Sequence, residues 1–83
     1  MNELDAINAI IEEHARATTK FGRFASAHEG LAIIEEEFEE LRLAVFWGVD
    51  HRGQPADMYK EATQLGAMAL RFLVDLRRNP DDR

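Results

Sequence analysis

The chain has no cysteine, so neither a disulfide nor a thiolate metal site supports its fold. Only two prolines occur, Pro55 and Pro80, which leaves long stretches free to be helical. No apolar run approaches the ~20 residues of a membrane span. The start, MNELDAINAI, lacks the basic segment that opens a secretory leader. Cationic residues are the minority: 10 Lys and Arg against 16 Asp and Glu give a net charge of −6. That is the wrong sign for coating nucleic acid or an anionic membrane. No Gly-rich phosphate loop and no Ser-His-Asp pattern is found. These absences predict a soluble, cytoplasmic protein with neither nucleic acid nor membrane as partner. The remaining composition, 46% hydrophobic and 31% charged, is that of a folded chain and not a disordered one. At 83 residues the chain makes one domain, residues 1–83. It buries only ~60–65% of its unfolded surface, and so thin a core predicts completion by a second subunit.

Apolar residues recur at helical spacing in three segments. Roughly Leu4 to Thr18 carries Leu4, Ile7, Ile11, His14 and Thr18 on one stripe. About Ala27 to Trp47 carries Leu31, Ile34, Phe38, Leu41 and Val45. About Pro55 to Arg78 carries Met58, Ala62, Leu65, Ala69, Phe72 and Leu76. No window alternates as a half-buried strand does. Ser26 and Glu29 form a capping box at the start of the second segment, and Gly48 ends it. Pro55 suits a first helical position, with Asp57 in the first turn. Arg77 and Arg78 suit a last turn, and Asn79-Pro80 stops it, leaving residues 80–83 to fray. About seven residues separate the second and third segments, which predicts an antiparallel hairpin. The expected architecture is all-α: three helices, one lying across this hairpin, with a four-helix core completed by dimerisation.

Five of the six residues from Glu35 to Glu40 are glutamate. At about 100° per residue, Glu35 and Glu39 fall on one flank of the apolar stripe, where Arg42 offsets Glu39. Glu37 and Glu40 fall on the other flank, and Glu36 lies nearer the outward face beside Glu40. No Lys or Arg of this segment serves the second group. Like charges at i,i+4, such as Glu36 and Glu40, cost ~0.2–0.5 kcal/mol per pair. Ordinarily a glutamate run is a solvated helix face. Glu61 is harder to place there, because it projects into the third segment's apolar stripe near Leu65, Met68 and Phe72. A buried carboxylate is ordinarily paired or metal-bound. Gln64 follows it by a turn, and Asp57 precedes it by a turn, where it reads as a helix-dipole residue. In an antiparallel hairpin, Glu61 and Gln64 face the Glu37 and Glu40 flank. Hard oxygen donors in that number suit Mg²⁺, with Mn²⁺ as substitute, and not zinc.

The stretch Lys20-Phe21-Gly22-Arg23-Phe24-Ala25-Ser26-Ala27-His28-Glu29-Gly30, then Glu36-Glu37-Phe38-Glu39-Glu40-Leu41, then Lys60-Glu61-Ala62-Thr63-Gln64, resembles the MazG-like branch of the all-α nucleoside triphosphate pyrophosphohydrolases. The family carries an EExxE motif on one helix and ExxD on the next, together binding Mg²⁺. Glu36, Glu37 and Glu40 match EExxE, and Glu61 matches the glutamate of ExxD. Gln64 stands where the family has aspartate, a departure that removes one negative charge from the implied site. The resemblance covers about residues 20 to 76. It implies cleavage of a nucleoside triphosphate between the α and β phosphorus, releasing a monophosphate and pyrophosphate. Glu36, Glu37, Glu40, Glu61 and Gln64 are the implied metal ligands, with Glu37 or Glu40 as general base.

Candidate phosphate partners are Lys20 and Arg23 before the second helix, Lys60 beside Glu61, and Arg71 two turns beyond Gln64; each reads equally as a surface cation. Phe21, Phe24 and Trp47 suit base stacking or, more ordinarily, core and dimer contacts. Gly30, on the carboxylate flank, admits close approach of a ligand or of a helix. His14 reads as a hydrogen-bonded core or interface histidine and His28 as a structural first-turn residue. The alternative function is a non-catalytic helical module, binding nucleotide or protein through a degenerate metal site.

Overall fold

A computed structural model describes residues 1–77; the expected stop at Asn79-Pro80 and the fraying of residues 80–83 lie outside the described residues. Three helices make up the fold: α1 (Glu3–Phe21), α2 (Ala27–Trp47) and α3 (Met58–Leu76). No strand occurs among the described residues, only a single antiparallel bridge between Val49 and Pro55.

Local chemistry sets the helix ends. Asn2 caps α1 by accepting the Asp5 N–H at 2.9 Å, and Asp5 accepts the Asn2 N–H in return at 3.3 Å. Ser26 Oγ accepts the Glu29 N–H at 3.1 Å; the Glu29 carboxylate reaches one residue further back than a capping box requires, to the Ala25 N–H at 3.1 Å. Gly48 closes α2 in the left-handed region at φ 67°, a conformation that disfavours any residue with a β-carbon.

The start of α3 differs from the sequence expectation. Pro55 lies outside the helix, bridged to Val49, and Asp57 is the N-cap, its carboxylate accepting the Tyr59 N–H at 2.8 Å. A short aspartate side chain competes well for free helix N–H groups, and it outweighs proline's preference for the first turn. The α2–α3 connection is therefore ten residues long, 48–57, not about seven. It is tied by the Asp50 N–H to Gln54 O at 2.8 Å and the Ala56 N–H to Gly48 O at 2.9 Å.

Helix α3 is the centre of the fold. It packs against both α2 and α1, while α1 and α2 make no direct packing with each other. Against α2 it runs antiparallel: Gly30, near the start of α2, meets Phe72 near the end of α3, and Glu40, late in α2, couples to Glu61 early in α3. Against α1, Gly66 packs on Ile10 and Arg71 reaches Gly22.

The buried faces match the apolar stripes of the sequence only in part: Ile34, Phe72 and Leu76 of the stripes pack on the core, and other members do not. The core consists of Ala17, Phe24, Ala67 and Met68, with Ile33, Ile34, Phe72 and Leu76 packed on it, and Gly30 and Ala44 buried on α2. Leu4, Ile7 and Ile11 on α1, and Leu31, Phe38 and Val45 on α2, are exposed, as are Met58, Ala62 and Ala69 on α3. Close helix approach selects small residues at the contact, and several large residues of the stripes, Leu31, Phe38 and Val45 among them, are turned outward. His14 also departs from expectation: its Nε2 is buried without a hydrogen-bond partner, as is the Thr18 hydroxyl one turn on. His28 is exposed.

Candidate functional site

Where α2 faces the start of α3, carboxylates gather. Glu36, Glu37, Glu40, Glu61 and Gln64 line one open cleft of about 350 Å³, together with Asp50, His51 and Arg52 from the connecting loop. The antiparallel register explains the gathering: residues 37 and 40 of α2 come level with 61 and 64 of α3 on the faces turned toward each other. Glu37, Glu40, Glu61 and Gln64 are half-buried and Glu36 is exposed.

Electrostatics mark the same residues. Partial burial pushes the Glu37 carboxyl above the usual glutamate range, and the charges of Glu61, Glu40, Glu36 and Glu13 push in the same direction. Glu61 is raised as well, first by desolvation and then by Glu40, with Lys60 opposing and Asp50 and Asp57 adding. The other flank of α2 is balanced, as its spacing predicts: Arg42 donates to Glu39 at 2.7 and 3.0 Å and holds its carboxyl below the usual range. No Lys or Arg of α2 offsets the charge of the α3-facing flank.

The loop residues were not legible as site residues. Asp50 organises a turn, its carboxylate accepting the Arg52 N–H at 2.8 Å and the Gln54 N–H at 2.9 Å, and these bonds hold it below the ordinary range for aspartate. His51 Nδ1 lies in hydrogen-bond contact with the Glu40 carboxylate. The spacing of Asp50 and Gly53 is a turn signal in the sequence, realised by the Gly53 N–H to Asp50 O bond at 3.0 Å. That signal locates the turn but says nothing of the cleft it borders.

The donor set suits a hard divalent cation: four glutamate carboxylates, an aspartate and an amide oxygen, with no sulfur. The uncompensated charge at Glu37 and Glu61 is what such a cation would neutralise. The side chains line the cleft without converging on a point, and no three His, Asp or Glu groups among the described residues are arranged to hold a metal ion. Convergence needs rotation of half-exposed glutamate side chains, which carry about 2 kcal/mol of rotamer entropy each.

The candidate cations are scattered. Lys60 is exposed next to Glu61, and Arg23 is exposed in the α1–α2 loop. Lys20 and Arg71 line a second cleft, of about 530 Å³, between α1 and α2 over α3, which shares Glu36, Glu37 and Gln64 with the first. Arg71 is not a surface cation. It is 4% exposed, donates to Gly22 O at 2.6 Å, lies 4.0 Å over the Phe24 ring, and has Asp75, also 4% exposed, at 3.7 Å. Asp75 in turn accepts the Phe24 N–H at 2.8 Å. The two side chains pin the α1–α2 loop to α3. Gly30 admits neither ligand nor helix backbone but the rings of Phe72 and Phe24.

No helix among the described residues is long and apolar enough to cross a membrane. Comparison of the chain with protein-family models, with curated proteins and with solved structures finds no match to any of them.

Proposed function

We propose that the protein is a Mg²⁺-dependent nucleoside triphosphate pyrophosphohydrolase of MazG-like type, cleaving a nucleoside triphosphate to a monophosphate and pyrophosphate. The observation that carries this reading is the mutual charge coupling of Glu37, Glu40 and Glu61 across the α2–α3 groove, with Gln64 beside them. Glutamates on a merely solvated face have no reason to meet carboxylates of another helix.

In this reading Glu36, Glu37, Glu40 and Glu61 hold the cation, with the Gln64 amide oxygen in the place of a fifth carboxylate. The bound cation supplies charge neutralisation for phosphate oxygens and Lewis acidity at the phosphoanhydride. Glu37 or Glu40 serves as the proton acceptor in this reading. Lys20 and Arg71 border the adjoining cleft, and His51 and Arg52 border the carboxylate cleft, so both ends of the groove carry groups able to meet an anion.

A homodimer belongs to the same reading. A standard interface removes ~800 Å² from each partner. The stripes of Leu4, Ile7 and Ile11 and of Leu31, Phe38 and Val45 are the apolar surface such an interface would cover.

The second reading is a non-catalytic nucleotide-binding or interaction module. It is favoured by the neutral Gln64 and by carboxylates that do not converge. An assay of ordinary and deoxy nucleoside triphosphates with Mg²⁺ or Mn²⁺, scoring pyrophosphate against orthophosphate, separates the two. Pyrophosphate release that disappears in Glu40→Gln and Glu61→Gln is the expected result. Metal binding without turnover of any triphosphate selects the module.

A further inference from the structure

Of the four glutamates in the carboxylate cleft, Glu40 alone has a hydrogen-bond partner for its side chain among the described residues: Nδ1 of His51 meets its Oε1. A carboxylate only accepts, so Nδ1 carries the hydrogen. His51 comes from the α2–α3 loop and lines the cleft with Glu36, Glu37, Glu61 and Gln64. The Glu40 side chain is 22% exposed and that of His51 67% exposed. Exposed contacts of this kind add little to stability, so the contact matters more for where it places the carboxylate than for the fold.

The loop holds the ring there. Connecting segments are ordinarily the mobile parts of a fold, but this one is tied on both sides of His51. The Asp50 carboxylate accepts the Arg52 N–H at 2.8 Å and the Gln54 N–H at 2.9 Å. The Asp50 N–H donates to Gln54 O at 2.8 Å, and the Gly53 N–H to Asp50 O at 3.0 Å. Gly53, at φ 80°, supplies the left-handed residue of the turn. The Val49–Pro55 bridge and the Ala56 N–H to Gly48 O bond at 2.9 Å close its base. Arg52, the loop's own cation, is engaged elsewhere: its Nη2 donates to Asp50 at 3.2 Å, which leaves Glu40 to the imidazole.

We propose that His51 is a positioning residue for the cation site, fixing the Glu40 carboxylate through the Nδ1–H bond to Oε1 and leaving Oε2 for the cation. This rests on the cation site of the reading above and adds to it a residue that belongs to neither helix. A glutamate side chain turns about three torsions, and a carboxylate that must be gathered from several rotamers is a weaker ligand than one already held. Glu36, Glu37 and Glu61 have no such tie among the described residues, so Glu40 is the donor set in advance and the others close on the cation beside it. Hydrogen-bond partners of ligating carboxylates are typically worth roughly 10- to 100-fold in metal affinity.

The test titrates Mn²⁺ into the whole chain and counts the free ion by electron paramagnetic resonance, for wild type, His51→Ala, His51→Asn and His51→Gln. The amide nitrogen of asparagine falls near the place of Nδ1, whereas that of glutamine falls near Nε2, so the two amides separate a donor at the right atom from mere polarity. The expected result is a Kd for Mn²⁺ raised about tenfold or more in His51→Ala and His51→Gln, and restored toward wild type in His51→Asn. The melting temperature in EDTA should be the same in all four proteins, because the contact is exposed. Wild-type affinity in His51→Ala overturns the proposal, and so does an asparagine variant as weak as alanine. A melting temperature in EDTA that falls with affinity in His51→Ala overturns it too, since the residue would then support the loop and not the carboxylate. Strong imidazole nitrogen coupling in the electron spin echo of bound Mn²⁺ makes His51 a ligand and equally ends the positioning role. A wild-type chain that binds no Mn²⁺ removes the cation site and this proposal together, whereas equal binding by all four proteins removes the proposal alone.

Discussion

Gly30 of α2 lies so close to Phe72 of α3 that a β-carbon built on it would fall 2.7 Å from the Phe72 Cδ2 atom and 3.1 Å from that of Phe24. The helices reach this separation because the position has no side chain. Gly30→Ala gains helix propensity of up to about 1 kcal/mol, but it forces two ring contacts, and overpacking costs ~1–3 kcal/mol. A net loss of about 1 kcal/mol is expected, seen as a fall in melting temperature of about 4–8 °C. An unchanged or higher melting temperature would mean that Phe72 moves aside freely.

The carboxylate cleft makes stability depend on pH in a definite direction. Glu37 and Glu61 hold their protons more tightly folded than unfolded. Their contribution is therefore present below the ordinary glutamate pKa and is lost as pH rises through their raised values. Without divalent metal, melting temperature should fall as pH rises above the ordinary glutamate range, and fall less in Glu37→Gln. Glu39 and Asp50, whose carboxyls are lowered, act oppositely and at lower pH. At neutral pH in EDTA, Glu37→Gln should be the more stable protein, by a margin that solvent screening keeps small.

Added Mg²⁺ should reverse the sign of that comparison. A site that binds only the folded state stabilises it by mass action, by about 2.7 kcal/mol at a hundredfold excess over Kd. The wild-type chain is expected to gain melting temperature with Mg²⁺ or Mn²⁺, and Glu37→Gln, Glu40→Gln and Glu61→Gln to gain much less. Equal gains in all four proteins would place the cation elsewhere.

Asp75 and Arg71 are buried as a pair on one face of α3. Removing one member strands the other, which costs ~3–5 kcal/mol for a fully buried pair. Asp75→Ala also deprives the Phe24 N–H of its acceptor. It is expected to unfold the chain or cost at least about 3 kcal/mol in urea denaturation. Asp75→Asn, which keeps an acceptor oxygen, should cost less. If the two substitutions prove equal, the charge and not the hydrogen bond is what matters.

Phe38 is 55% exposed at the centre of the outward stripe of α2. Phe38→Glu introduces a charge into the proposed interface and leaves the monomer core untouched. Sedimentation should change from dimer to monomer with the helical circular dichroism preserved. A wild-type chain that sediments as a monomer at all concentrations removes the dimer altogether.

The three helices, and the bounds of α2, are legible in the sequence because capping is local: Ser26 with Glu29 and Gly48 need no partner from elsewhere in the chain. Legible too is the division of the glutamates, since Glu39 with Arg42 and Glu37 with Glu40 follow from helical pitch alone. Periodicity finds only part of the inside face: Ile34, Phe72 and Leu76 do pack on the core. It weighs the large residues, Leu31, Phe38 and Val45, which are exposed, whereas Gly30, Ala44 and Ala67 are buried and Gly30 makes room for the Phe72 ring. Tertiary structure alone decided that Asp50, His51 and Arg52 border the carboxylates, because a loop's direction depends on where the next helix packs. It also decided that Arg71, apparently a free cation, is buried against Gly22 and Phe24. Contacts across about fifty residues of chain leave no local trace in composition or spacing, and only the docking of α3 against α1 brings them together.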